Sequence, residues 1–324
     1  MADTSTALGE FDLIAKYFTR PVRRAALGIG DDCALLQPSP GMQIAISSDM
    51  LVEGRHFLST VSPRRLGHKA LAVNLSDLAA SGAQPLAFSL ALALPRADET
   101  FLAGFAEGLF ALADAHGCEL VGGDTTQGPL NICITVFGEV PPGLALLRSG
   151  ARAGDDLYVS GTVGDARLAL ECFRGTVALA GNDFERVRAA MEQPQPRVAL
   201  GVALRGVASS AIDVSDGLLG DLAHILRRCG VGASVEVDAV PRSAVLASQP
   251  LALQRECTLA GGDDYELLFT AAQSQADAVQ ATARRSGVAA TRIGRITSTP
   301  GLVLVDAQGR GVPHTFGSFD HFKT

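Results

Sequence analysis

The chain has 324 residues, 47% of them hydrophobic, and a formal net charge of −7 at pH 7, which allows a large core and two domains of ordinary size. An acidic balance lacks the basic footprint that nucleic-acid binding requires, so no nucleic-acid partner is expected. The opening stretch MADTSTALGEFDLIAKYF has neither a basic start nor an apolar run, and no window reaches the roughly 18 apolar residues of a spanning helix, so no membrane is expected and the cytoplasm is the expected compartment.

From Pro63 to Gly82, PRRLGHKALAVNLSDLAASG opens on proline and closes on glycine with Ala and Leu between, which predicts a helix. Asn74, Asp77 and Ser81 fall three and four apart on one face of it. PLAFSLALALP (85–95) alternates Phe88, Leu90, Leu92 and Leu94 with smaller residues, the period of a strand. It is too apolar to leave on a solvent-facing edge, which predicts a symmetric homodimer formed by the first half. DETFLAGFAEGLFALADAHG (98–117), opened by acids, predicts a second long helix, and NICITVFGEV (131–140) returns to strand. VPPG (140–143) punctuates the chain, so a boundary is expected near 145, giving domains 1–145 and 146–324. In the second half DDLYVSG and SSAIDVSD read as strands, GDARLALECF, PRVALGVALRG and GLLGDLAHILRRCG as helices, and hairpin-like strands follow near the end. The fold class is α+β, in two domains.

Several chemistries drop out. The six cysteines are scattered without a C-x-x-C pair and mostly within apolar segments, which predicts buried thiols rather than disulfides or zinc ligands. Of 27 basic residues only Lys16, Lys69 and Lys323 are lysine, and none stands in G-x-x-x-x-G-K-[ST], so a Walker-type cradle is excluded. GIGDDC fails the dinucleotide fingerprint because Cys33 occupies the third glycine position.

What remains is a recurrent placing of Asp beside Gly or Ser: GIGDDCA (28–34), SSDM (47–50), NLSDLAASGA (74–83), LVGGDTTQG (120–128), DVSDGLLGD (213–221) and AGGDDYEL (260–267). Carboxylate oxygens are hard ligands suited to magnesium, and glycine lets backbone approach a phosphate closely. Gly122 and Gly123 are read as clearing space and Asp124 as bringing metal. The alternative is that Asp213 or Asp216 merely caps the following helix. Because MQIAISSDM, CELVGGDT and SSAIDVSD place acids after apolar runs, these Asp are expected at strand ends, where sites assemble.

With GIGDDCALL, SSDMLVEGRHF, AVNLSDLAASGAQP, VGGDTT, RSGARAGDDLYVSG, DVSDGL and GGDDYELLF in this order and spacing, the chain resembles the thiamine-monophosphate kinase family from about residue 10 to the end. The resemblance implies two α/β-sandwich-like domains of the aminoimidazole ribonucleotide synthetase-like type, the N-terminal one dimerising. It implies magnesium-dependent transfer of the γ-phosphoryl of ATP to thiamine monophosphate, giving thiamine diphosphate. Carried over by position, it implies several Mg2+ ions held by Asp31, Ser47, Ser48, Asp49, Asp77, Asp124, Asp213 and Asp216. ATP contacts are implied at Gly123, Asp124, Arg148 and Ser215, and substrate contacts at His56, Asp263 and Phe319. The chain departs from the family pattern at Asp263, where Glu is common, at Ser81, where Met is common, and at Phe319, which lacks the hydroxyl or indole of other members.

Phosphoryl transfer asks a protein chiefly for positioning and charge neutralisation, which suits many carboxylates and one arginine fork at Arg148. Lys69 is expected to snorkel or to pair with a surface acid. His56 is read either as a substrate contact or as a solvent-facing histidine, and Phe319 either as a stacking surface or as core. Two rival readings stand beside the kinase: a ligase or synthetase of the same superfamily acting on another small substrate, and a nonenzymatic ion or nucleotide sensor.

Overall fold

The computed structural model describes residues 9–317 and divides into two compact units. The first takes the chain up to Leu75 together with Pro85–Pro141; the second takes Ser76–Gln84 and everything from Pro142. Nothing in the composition marks residues 76–84 as belonging with the second unit.

The first unit runs α1 (Glu10–Tyr17), β1 (Gln43–Val52), α2 (Pro63–Ala80, its last turn counted with the second unit), β2 (Gln84–Leu94), α3 (Glu99–His116), β3 (Glu119–Gln127) and β4 (Asn131–Val140). Asp98 caps α3 by accepting the Phe101 N–H at 3.0 Å, and Gly117 ends it in the left-handed region. The two long helices cross with their backbones in contact: a Cβ on Gly67 would collide with the carbonyl oxygen of Phe105, and one on Gly108 with that of Arg64. Only glycine permits so close a crossing.

The strands form one sheet in the order β1-β4-β2-β3, with β1 and β4 antiparallel and β2 and β3 parallel. The expected exposed edge at β2 is therefore corrected. β2 is an interior strand whose Phe88, Leu90, Leu92 and Leu94 are buried, so its apolarity is that of a core strand and demands no second copy. Within this sheet the exposed large apolar residues lie instead on edge strand β1, where Ile46 is 64% and Met50 54% exposed.

The second unit contains β5 (Asp156–Ser160), α4 (Asp165–Phe173), α5 (Gly181–Glu192), α6 (Val198–Ala203), β6 (Ser210–Asp213), α7 (Leu218–Cys229), β7 (Gly232–Glu236), α8 (Ala244–Ala247), α9 (Leu251–Ala260), β8 (Leu267–Ala271), α10 (Ala276–Arg285), β9 (Ala290–Thr297) and β10 (Gly301–Val305). Its sheet has the order β10-β7-β9-β5-β8-β6. The buried face of α7, Leu218, Leu222 and Ile225, packs on Leu157, Val159, Ile212 and Leu268 of this sheet. A smaller core joins α4 and α5 through Leu168, Ala169 and Val187 to Leu246 and Cys257.

The hairpin-like return expected near the end forms after β10, where Val305 and Gly311 bridge antiparallel, and not between β9 and β10. β7 lies between β9 and β10, antiparallel to the first and parallel to the second. The connection from Thr297 to Gly301 crosses two strand spacings, roughly 10 Å, within reach of so short a link. Beyond β10 the chain returns along it, Val312 donating its N–H to Leu304 at 2.8 Å.

All six cysteines are free thiols, but only Cys118 and Cys257 are buried, and Cys33 is exposed. Cys33 sits in the irregular segment before β1 rather than in an apolar element, which is why the expectation of buried thiols fails there. Among the described residues no helix is long and apolar enough to cross a membrane.

Candidate active site

In the first unit the segment 23–36 is tied to the sheet by Glu119, whose carboxylate accepts the N–H groups of Arg23 at 2.8 Å and of Arg24 and Ala25 at 3.0 and 3.2 Å. Asp31 is exposed in the loop that follows, its Oδ1 accepting the N–H of Asp32 at 3.2 Å. On β1 the period of two separates neighbours that the motif runs together. Ala45, Ser47, Asp49 and Leu51 share the more buried side, whereas Ser48 lies with exposed Ile46 and Met50. The Ser48 hydroxyl is engaged with Thr135 at 2.9 Å, so only its main chain can face the same way as Asp49. The Asp49 N–H donates to Asn74 Oδ1 at 3.0 Å, and Asn74 in turn donates to the Ala70 carbonyl at 3.0 Å. Buried Asn74 of α2 thus fixes β1 at the aspartate, a role its place on the predicted helix face did not disclose.

Asp49 and Asp124 lie within strands, not at strand ends, and stand on opposite edges of the sheet with β4 and β2 between them. The expected convergence therefore does not arise within the sheet itself, because strand order separates them. Gly123 also differs from its expected use. At φ 144° and paired with Leu90, its missing Cβ makes room for the Leu90 backbone, beside a bulge that sets Val121 outside the pairing. The open space is at Gly122, where an added Cβ would meet nothing within 4 Å. Asp124 itself is exposed.

His56 closes a turn after β1. Its Nδ1 accepts the Val52 N–H at 2.9 Å, which leaves Nε2 to carry the proton in the neutral ring, and its carbonyl accepts from Lys69 Nζ at 3.0 Å. The ring is half-buried rather than solvent-facing. Lys69 does not snorkel: it is 2% exposed, because its ammonium is drawn inward to that carbonyl.

In the second unit the predicted residues gather around the junction of β6 and α7. Asp213 ends β6, buried, its Oδ2 accepting the hydroxyl of fully buried Ser76 at 2.8 Å; Asp77, the next residue on α2, is half-buried. The helix α7 begins after Gly217 with no side-chain cap, so neither Asp213 nor Asp216 is a capping residue. Asp221, inside the helix, instead fixes the chain that leads into it, one of its oxygens accepting the N–H groups of Ser215 at 3.1 Å and Asp216 at 3.2 Å. Burial, and then the nearby Asp216 carboxylate, push Asp221 up to about 7. Arg148, exposed, contributes its charge here too, opposing the rise at Asp221 and holding His224, already lowered by burial, further down. The segment 261–266 runs alongside: Asp263 donates its N–H to the Ser215 carbonyl and Tyr265 to that of Val214, both at 2.8 Å. Asp263 and Tyr265 both have positive φ, 69° and 53°, and the Tyr265 hydroxyl donates to Asp263 Oδ1 at 3.0 Å. Phe319 lies outside the described residues.

Magnesium would find hard oxygen donors throughout this set, of the kind it selects. Among the described residues no three His, Cys, Asp or Glu side chains form a closed cage. Such an ion is commonly held by one or two carboxylates and completed by water and phosphate oxygens, and Asp77, Asp216 and Asp213, the last oriented by Ser76, are carboxylates of the second unit that could serve it.

The class follows first. Residues 30–140 match the AIR synthase related protein N-terminal domain and residues 152–307 the C-terminal domain of the same family, so the two mixed α/β units are AIR-synthase-type domains. Over 98% of its length the chain is 45% identical to the thiamine-monophosphate kinase of Salmonella typhimurium, of which it covers 99%. The crystal structure of thiamine-monophosphate kinase from Stenotrophomonas maltophilia K279a is 46% identical, with a TM-score of 0.83 over 89% of this chain and 92% of that one. AaThiL complexed with AMPPCP and TMP is 28% identical, with a TM-score of 0.77 over 88% and 89%. The chain belongs to the thiamine-monophosphate kinase family.

Proposed function

We propose that this protein transfers the γ-phosphoryl of ATP directly to the phosphate of thiamine monophosphate, giving thiamine diphosphate and ADP. The full-length identity to a thiamine-monophosphate kinase carries the reading. Magnesium, when bound, would neutralise and align the phosphates. Its ligands in this reading are Asp31, Ser47, Ser48 through its main chain, Asp49, Asp77, Asp124, Asp213 and Asp216. Ser215, Arg148 and Gly123 and Asp124 of β3 contact ATP, and His56, through Nε2, Asp263 and Phe319 contact the substrate. Residues 1–145 and 146–324 act as the two functional domains.

The chain's own residues do the positioning. Ser76 orients Asp213, and Asp221 fixes the main chain at Ser215 and Asp216. Arg148 presents a permanently charged fork to phosphate oxygens. The acceptor phosphate, with a second pKa near 6, is largely dianionic at pH 7, so no general base is required and no side chain need be phosphorylated. Two copies associate through the exposed apolar side of β1, Ile44, Ile46 and Met50, a reading supported by the depletion of such residues from free surfaces. The cytoplasm, where ATP and free magnesium are abundant, is the compartment of this reaction.

ATP consumption by the purified protein tests the reading. It should require both magnesium and thiamine monophosphate. A sensor would bind ATP without turnover, and a ligase would release inorganic phosphate with a different substrate.

A further inference from the structure

Asp264 has no part in the chemistry above, yet it is the worst-satisfied acid of the described residues. Its Oδ1 accepts the Gly164 N–H at 2.8 Å, while Oδ2 is buried with no hydrogen-bond partner. It stands between Asp263 and Tyr265, the two non-glycine residues of positive φ among the described residues. Asp tolerates that region; a buried Tyr does so only when its surroundings enforce it. The side chains of 263 and 265 meet each other through the tyrosine hydroxyl, while that of Asp264 goes to the start of α4. Its anchor there is rigid: Gly164 has φ 99°, and an added Cβ would press on Leu246 at 2.8 Å and the Cys257 backbone at 3.0 Å.

The charges around Asp264 are unfavourable to a carboxylate. Asp263 and Glu266 of its own segment and Asp165 of α4 all oppose its ionisation, and burial opposes it more, so its pKa lies well above the usual value of 3.8. Of the arginines bonded to neighbouring acids, Arg197 is engaged with Glu266 of the same segment and Arg167 of α4 with Glu171, each at 2.7 Å. Cys257 of α9, its thiol pushed up to about 12 chiefly by burial, stays neutral throughout the working range. A proton on Oδ2 removes an uncompensated buried charge.

We propose that Asp264 is a positioning residue for the substrate: a neutral carboxylic acid, pinned to Gly164, that holds Asp263 in the left-handed turn from which it meets thiamine monophosphate. The proposal rests on the kinase reading and on Asp263 as a substrate contact. It sets the conservative Asp263 in a turn fixed from beneath, so that the shorter side chain is aimed by backbone conformation.

Steady-state kinetics of Asp264→Asn, Asp264→Ala and Asp263→Ala test this. Asn keeps an oxygen for the Gly164 N–H and mimics a neutral acid, so its KM values should stay within about threefold of wild type, whereas Ala should raise the KM for thiamine monophosphate roughly tenfold or more and leave that for ATP within about twofold. Asp264→Asn as damaging as Ala, or equal shifts in both KM values, would overturn the proposal. An unmoved KM in Asp263→Ala would instead overturn the substrate assignment from which it starts. Should Asp264→Ala fail to fold, thermal melts of wild type and Asp264→Asn across pH 4–8 decide. A raised folded-state pKa stabilises most below the unfolded value of 3.8 and is lost as pH rises toward the folded value. The Tm of Asp264→Asn should therefore rise relative to wild type with increasing pH; parallel curves would show that Asp264 is ionised and overturn its neutral role.

Discussion

Replacing Ser76 by Ala removes one oxygen and nothing else from the second unit. The hydroxyl is fully buried and donates at 2.8 Å to a carboxylate that is itself 4% exposed, so water cannot readily replace it. A hydrogen bond to a charged group contributes about 1.5–3 kcal/mol. Loss of an outer partner of a metal ligand costs about 10–100-fold in metal affinity, or about 1.4–2.7 kcal/mol, so the two routes to the magnitude agree. Ser76→Ala should therefore raise the magnesium concentration for half-maximal turnover by roughly 10–100-fold, with turnover recovering to within a few fold at saturation. Magnesium titrations of turnover, and of the magnesium-induced shift in Tm without nucleotide, would measure it. An unchanged half-saturation in both titrations, or a fall in turnover that magnesium cannot restore, would refute the reasoning.

Three further outcomes are expected. Asp77→Asn removes charge and keeps shape, so it should lower turnover roughly a thousandfold or more in a folded protein; near-normal turnover would remove Asp77 from the site. Gly108→Ala should lose at least about 2 kcal/mol of stability, read as a lowered Tm, because the added methyl meets the Arg64 carbonyl at the helix crossing; an unchanged Tm would contradict that crossing. Chirally labelled ATP should give inversion at the γ-phosphorus, as a single in-line displacement demands, and retention would reveal a phosphorylated side chain.

The elements legible in the sequence were those with local punctuation. Pro63 and Gly82 bracketed α2, the alternation from Phe88 to Leu94 marked β2, and the acids before Phe101 marked the start of α3. Pairing order was not legible, since neighbours in a sheet are chosen by long-range contacts. That is why the interior place of β2, the insertion of β7 between β9 and β10, and the separation of Asp49 from Asp124 within the sheet are visible only in the fold. The acids proposed as ligands in the second unit stand out in the sequence because their motifs are contiguous, but the residues that hold them do not. Ser76 lies inside the NLSD motif, Asp221 closes DVSDGLLGD and Asp264 is the second acid of GGDD; each is in plain view, yet only the fold shows which group its side chain engages. Lys69 shows the same limit, since a lone lysine two turns before an acid gives no hint that a main-chain carbonyl awaits it.

The most direct measurement is a single-turnover experiment with γ-labelled ATP, magnesium and excess purified protein, with and without thiamine monophosphate. With the substrate present, all the transferred label should appear in the terminal phosphate of thiamine diphosphate, matched by ADP; without it, the label should stay in ATP. Label in inorganic phosphate, or trapped on the protein, would contradict direct transfer between the two phosphates.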